Sequence, residues 1–230
     1  MSGVPALFPS MESRLRCAWC NEAIGDADRG DSRYCGKLHR QQAWRFFGQI
    51  GRSSYAPTAR PLRLAYADPP YPGLAWYYKD HPDYAGEVDH GALLDDLLGL
   101  DGFALSTSKW GLRLCVGLLA ERKARNWDIA TWVRAPRVQR ARRPVQSTEF
   151  VIFRTARTEV VEQPADSLVF VPQPRVGDPK RVIGAKPAAF ISWMFALMGA
   201  RPGDAFTDVY AGSGRVAQAW QFWTGALHAA

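Results

Sequence analysis

The chain has 230 residues, enough for one full catalytic domain plus a small appendage, and its 47% hydrophobic content is ample for a packed core. Two equal domains do not fit that length. Lys and Arg outnumber Asp and Glu by 29 to 22, and a net charge of +7 with a pI near 9.4 suits a polyanionic partner such as nucleic acid, or a solvated basic face. No uninterrupted apolar run reaches the roughly 18 residues of a membrane span. Met1 to Ser13 lacks a basic start followed by an apolar stretch, so the expectation is a soluble cytoplasmic protein that does not engage a membrane.

Four cysteines occur, three of them within the first 35 residues, while Cys115 stands alone in an apolar stretch. In a reducing compartment that clustering reads as metal binding rather than disulfide pairing. Cys17, Cys20, Cys35 and His39 have the spacing C-x2-C-x14-C-x3-H, two ligand pairs that can close a tetrahedral zinc site. With four protein ligands no position stays open for water, so the metal is read as structural, holding a fold too small to hold itself. The alternative is a set of small buried cysteines beside a surface histidine. The segment resembles small treble-clef fingers whose last ligand opens a helix, with His39 where cysteine is usual. Arg33, Lys37, Arg40 and Arg45 surround it, placed either for phosphate contact or as a solvated face.

The composition shifts around Gly51 to Pro61, where Gly, Ser, Ala and Pro punctuate the chain. The domain division is therefore 1–50 for the zinc module, 51–61 for a linker and 62–230 for the larger domain. Within the latter, Leu62 to Ala67, Gly102 to Ser106, Ile129 to Val133 and Phe150 to Phe153 read as buried strands. Ala92 to Leu100 and Leu112 to Arg125 read as helices between them. Alternating strands and helices predict an α/β domain with a mostly parallel sheet covered on both faces.

Asp68, Pro69, Pro70 and Tyr71 follow the first strand directly. Two prolines fix the backbone and remove two N–H donors, leaving carbonyl oxygens as acceptors, and the residue before a proline is pushed to an extended conformation. A carboxylate beside a carbonyl accepts both hydrogens of one amino group, and Tyr71 offers a flat face to the ring that bears it. The combination fits an aromatic amine; by itself it also fits a rigid turn. Further on, residues 77–101 are acidic, with Tyr77, Tyr78 and Tyr84 read as a lid, and Trp76 is either a stacking surface or core. Arg134, Arg137, Arg140, Arg142 and Arg143 lie in a run without one acid, the best phosphate-contact candidate, with a mobile solvated loop as the alternative.

Pro187 to Met198 reads as a helix with Phe190, Met194 and Leu197 at helical spacing. Asp204 to Tyr210 follows as a strand running into Ala211, Gly212, Ser213 and Gly214, before a last helix from Arg215 to Phe222. Strand, glycine turn and helix together cradle a nucleotide-like ligand.

On these motifs the chain resembles the DNA amino-methyltransferases of the beta arrangement, in which the catalytic tetrapeptide precedes the cofactor motif. It looks most like the short enzymes of bacteriophages and actinobacteria. The likeness spans Leu62 to Phe222 and is carried by Tyr-Ala-Asp-Pro-Pro-Tyr-Pro-Gly, Ala-Leu-Ser-Thr-Ser, Gly-Ala-Lys-Pro and Pro-Gly-Asp with Asp-Val-Tyr-Ala-Gly-Ser-Gly. It implies a Rossmann-like S-adenosylmethionine-dependent methyltransferase fold and transfer of a methyl group to the N6 amino group of a flipped-out adenine in DNA, in a bacterial or phage-infected cytoplasm. By the same resemblance Asp208, Tyr210, Gly212 and Gly214 line the S-adenosylmethionine pocket, and Lys186 with Pro187 lies near its methionine end. RNA adenine methylation, or a silent nucleic-acid-binding protein on the same fold, would share these motifs.

Overall fold

The computed structural model describes Cys17, Trp19, Ile24 and residues 33–80, 84–137, 146–157, 163–171 and 185–226. The first helix, α1 (Lys37–Ile50), buries His39, Ala43, Phe46, Phe47 and Ile50, one face at helical spacing, and stops at Gly51, whose φ of 68° suits glycine. The four residues 33–36 lead into it, so His39 stands in its first turn, where the treble-clef likeness puts the last ligand.

The remaining elements build one six-stranded sheet. Strands β1 (Arg63–Ala67) and β2 (Gly102–Thr107) are followed by the pair β3 (Asp128–Arg137) and β4 (Gln146–Arg154), the short β5 (Ser167–Val169) and β6 (Ala205–Asp208). Their spatial order is β5-β3-β4-β2-β1-β6. Helices α2 (His90–Leu98), α3 (Lys109–Glu121), α4 (Ala188–Leu197) and α5 (Arg215–Trp223) cover it. Asp89 caps α2 by accepting from the N–H groups of Gly91 and Ala92, and Ser108 caps α3 by accepting from Gly111. Helix α4 buries seven residues around its circumference and is a core helix; Pro187 lies just before its first residue.

Side-chain alternation along the strands divides the core into two layers. Leu64, Tyr66, Ala104, Ala130, Trp132 and Val151 pack with residues of α1, α4 and α5. Ala65, Ala67, Phe103, Leu105 and Ile152 pack with residues of α2 and α3. The first layer also takes in Cys17, Trp19, Tyr34 and Phe46, so the apolar core runs without a break from the cysteine-rich segment into the sheet. Residues 51–61 are tied along the way: Ser53 N–H donates to the Trp223 carbonyl, Thr58 N–H to Pro202, and Arg52 to Phe222 while lying 3.9 Å over that ring.

The sheet departs from the expected alternation at one place. Strand β4 lies between β2 and β3 and is antiparallel to both, whereas β1 is parallel to β2 and β6, and β3 to β5. Eight residues separate β3 from β4, too few for the crossover of about a dozen that a parallel neighbour needs, so the chain turns straight back. Strand β5, three residues at the sheet edge, is too short to show a period in the sequence. Among the described residues no helix is long and apolar enough to cross a membrane.

This topology fixes where chemistry can sit. From β1 the chain passes through α2 to β2 on one side, while β6 arrives on the other. The carboxyl ends of β1 and β6 therefore flank a switch point of the sheet, where open α/β sheets form a crevice.

Candidate functional site

Asp68 follows the last residue of β1, and Asp208 is the last residue of β6, paired in register with Tyr66. The sheet thus brings the tetrapeptide and the glycine turn to the same end of two neighbouring strands, though the two segments stand far apart in the chain. Val209 N–H donates to the Tyr66 carbonyl at 2.9 Å and pins the two strand ends together. Tyr71 to Leu74 closes a tight turn: Leu74 N–H donates to the Tyr71 carbonyl at 2.8 Å, Pro72 takes the second position, and Gly73 has the positive φ of 76° that the third requires. The Glu87 carboxylate accepts from the N–H groups of Gly73 and Ala75, which fastens the outgoing chain. Gly111 of α3 packs against Thr107 and Pro72 so tightly that no side chain fits there.

The tetrapeptide sits in a chain of alternating charges. Asp68 Oδ1 is 3.1 Å from Lys186 Nζ, Lys186 also donates to Glu149 Oε1, and Glu149 Oε2 is 3.3 Å from Arg134. Lys186 is 7% exposed and lies over the Trp132 and Phe190 rings; Glu149 is 2% exposed. Burial raises the Asp68 pKa, the Lys186 ammonium pulls it back down and the Glu149 charge raises it again. For Lys186 burial works against the charge, yet the Asp68 and Glu149 carboxylates outweigh it and hold its pKa well above an ordinary lysine. Burial likewise pushes the Tyr71 phenol upward, so it stays protonated. Behind this row the buried Tyr66 hydroxyl and Ser106 Oγ share a hydrogen bond of 2.8 Å.

Asp208 is the other carboxylate of the cleft. Both its oxygens are buried and make no hydrogen bond of normal geometry among the described residues, the Ala217 N–H being the donor turned toward them. Burial first, then the Asp68 charge, raise its pKa to about 6 against the pull of the Ala217 N–H. A carboxylate left so is a site for a cationic group. The adjoining Gly212 and Gly214 have φ of 46° and 68°, which L side chains rarely adopt, and little stands where a Cβ would lie, so this bend leaves room for a ligand against the backbone. These residues fit S-adenosylmethionine, whose amino-acid end carries an ammonium: Asp208 would hold it, with Gly212, Gly214 and the half-buried Tyr210 around it. Lys186, which the family likeness puts at the cofactor, is seated on Asp68 and Glu149, next to Pro187 at the start of α4.

The arginine run divides. Arg134 belongs to the site, its side chain 13% exposed and its guanidinium paired with Glu149, rather than to a solvated face. Arg137 ends β3, and Arg140, Arg142 and Arg143 lie outside the described residues. Trp76 is not core: it is 54% exposed and stacks on the exposed Tyr77 with ring centroids 3.9 Å apart. Sequence reasoning missed Glu149. The signal that would have found it is a lone acid within Gln146–Arg154, a strand otherwise rich in β-branched and aromatic residues.

At the other end, Cys17, Cys35 and His39 bring their ligand atoms within 4.8 Å of one another, and Cys20 lies outside the described residues. His39 Nδ1 is 3.0 Å from the Cys35 sulfur and 3.8 Å from that of Cys17. Metal–sulfur and metal–nitrogen bonds of about 2.3 and 2.0 Å in a tetrahedron set such atoms about 3.6 Å apart, so the three residues fit a metal of that geometry. Trp19, bonded through its indole N–H to Gln42 of α1, lies under the Arg215 guanidinium at 3.9 Å, which links this cluster to the first residue of α5.

No family model matches the chain, and no curated protein does. Among solved structures it is similar to the crystal structure of the M1.HpyAVI–SAM complex, with 20% identity, 70% of this chain and 78% of that one covered, and a TM-score of 0.42. The crystal structure of M1.HpyAVI matches at 18% identity over 79% of this chain and 81% of that one, with a TM-score of 0.40.

Proposed function

We propose that this protein transfers a methyl group from S-adenosylmethionine to the N6 amino group of adenine in DNA. The observation that carries the reading is the meeting, at one switch point, of Asp68 before two prolines with the buried Asp208 carboxylate, which makes no hydrogen bond of normal geometry among the described residues, beside a glycine bend. When bound, the cofactor supplies an electrophilic methyl group. The amine nitrogen would accept that methyl group in place of one of its protons, which would leave to Asp68 or to water. An adenine amine is a poor nucleophile because its lone pair is delocalised into the ring. Asp68 and a proline carbonyl, accepting its two hydrogens, draw it toward a tetrahedral, electron-rich state and aim it at the methyl donor. Lys186 holds one Asp68 oxygen and leaves the other for the amine. Tyr71 supplies the stacking face for the extruded base, offsetting part of its unstacking cost of a few kcal/mol.

Phosphates would be met by the exposed face of α1, where Lys37, Arg40, Trp44 and Arg45 stand without an acidic residue in the helix, together with the arginine run. Titrating purified protein with labelled S-adenosylmethionine and matched DNA and RNA duplexes tests the assignment. N6-methyladenine is expected in DNA, with little transfer to RNA. Label in RNA alone, or in neither, overturns it.

Zinc, held by Cys17, Cys35, His39 and Cys20, is proposed as the structural ion of the amino-terminal module. Because that module shares its core with α4 and α5, chelation is expected to lower the melting temperature of the whole protein by at least about 5 °C, since each kcal/mol shifts a chain of this size by about 2–4 °C. Re-addition of zinc restores it. An unchanged melting curve together with no zinc in the purified protein would show that the cysteines serve only as core.

A further inference from the structure

Glu149 is a buried charge that the reaction outlined above does not use. It stands on β4, the strand the chain inserts antiparallel between β2 and β3, which is what brings it level with the tetrapeptide. It accepts from Lys186, buried like itself, through one oxygen and faces the partly buried Arg134 with the other. A buried ion pair seldom exists for stability alone, because desolvating two charges costs about as much as their attraction returns. Four alternating charges that end on the tetrapeptide point to the reaction.

We propose that Glu149 is a positioning residue: by holding Lys186, it keeps that ammonium fixed on Asp68 Oδ1 while balancing its charge, so that Asp68 still presents negative charge to the incoming amine. The inference rests on the methyl-transfer reading. Transfer carries positive charge from the sulfonium onto the amine nitrogen beside Asp68, so an uncompensated Lys186 and Arg134 there would oppose it. With Glu149 in place, Asp68, Lys186, Glu149 and Arg134 sum to zero. Without its charge the row is net positive where the reaction needs it neutral or negative. The other titratable groups facing Asp68 are the Tyr66 and Tyr71 phenols, both held protonated, and Asp208.

The test uses the full chain and the variants Glu149→Gln, which keeps an acceptor oxygen and loses the charge, and Glu149→Asp, which keeps the charge. Glu149→Gln is expected to lower kcat about tenfold or more with S-adenosylmethionine affinity unchanged. Its acid limb of rate against pH should move to lower pH, since the Glu149 charge raises the Asp68 pKa. Glu149→Asp should recover most of the rate. A Glu149→Gln enzyme with wild-type kcat and pH profile, or one that is slower only in proportion to a lower melting temperature with its acid limb unmoved, overturns the proposal. Should wild-type protein transfer no methyl group to DNA, the methyl-transfer reading fails first. The carbon-13 carboxyl titration of Asp68 by NMR then decides for Glu149: a midpoint displaced to lower pH in Glu149→Gln upholds it as the residue that sets Asp68, and an unmoved midpoint refutes it.

Discussion

Asp68→Asn is expected to cut methyl transfer by about 10²- to 10³-fold, the loss that follows removal of one pre-placed electrostatic group from a reacting centre. The asparagine retains one acceptor oxygen but has no charge to hold Lys186 and turns an amide N–H toward either the lysine or the substrate amine. Binding of S-adenosylmethionine, measured by calorimetry, should change less than about tenfold, since Asp208 and the glycine bend are left in place. The pH profile carries a second signature. Asp68 acts as the carboxylate, and burial raises its pKa, so the wild-type rate falls as pH drops through that raised value. The asparagine enzyme should have lost this acid limb. A variant that keeps more than a tenth of the wild-type rate would remove Asp68 from the chemistry.

The second large effect concerns Asp208. Its carboxylate is buried with only the Ala217 N–H turned toward it, and burial pushes its pKa up to about 6, against 3.8 for an ordinary aspartate. For a carboxyl group whose folded pKa is raised, the stabilising form is the protonated one. That contribution is fully present below about 3.8 and is lost as pH rises through about 6, a difference of about 3 kcal/mol between the two limits. Asp208→Asn removes the charge that burial penalises. The ligand-free variant is therefore expected to be about 1–3 kcal/mol more stable than wild type to urea at pH 8, and the gain should vanish toward pH 4. The same variant should bind S-adenosylmethionine about 10- to 100-fold more weakly, the worth of a charge-assisted bond to the ammonium. Stability that rises while affinity falls marks a residue kept for its ligand. If the variant is destabilised at pH 8 and binds the cofactor normally, Asp208 has an unseen structural partner and no cofactor role.

Much of the architecture was legible in local patterns. The buried strands β1 and β2 read as short apolar runs, α4 as a helix with Phe190, Met194 and Leu197 at helical spacing, and α5 as the helix after a glycine bend, because each depends on periodicity and turn chemistry within a few residues. The helix boundaries were less legible. Helix α2 starts at His90 and α3 at Lys109, earlier than the apolar pattern suggested, because Asp89 and Ser108 cap them and bring polar first turns into the helices. The antiparallel return of β4 was hidden because a strand's composition does not record the direction of its neighbour.

The residue types at the tetrapeptide, the glycine bend and the metal cluster were therefore determined by the sequence itself, since a carboxylate before two prolines or a spaced cysteine pair has its chemistry wherever it lies. Only the tertiary structure decided what those groups meet. It seated Lys186 on Asp68 and joined it to Glu149 and Arg134, and it buried the Asp208 carboxylate with only the Ala217 N–H turned toward it. The physical reason is that charge and desolvation act through space over a few ångströms, and the neighbours at that range come from β1, β3, β4, β6 and the start of α4, segments whose approach is set by sheet order and not by their spacing along the chain.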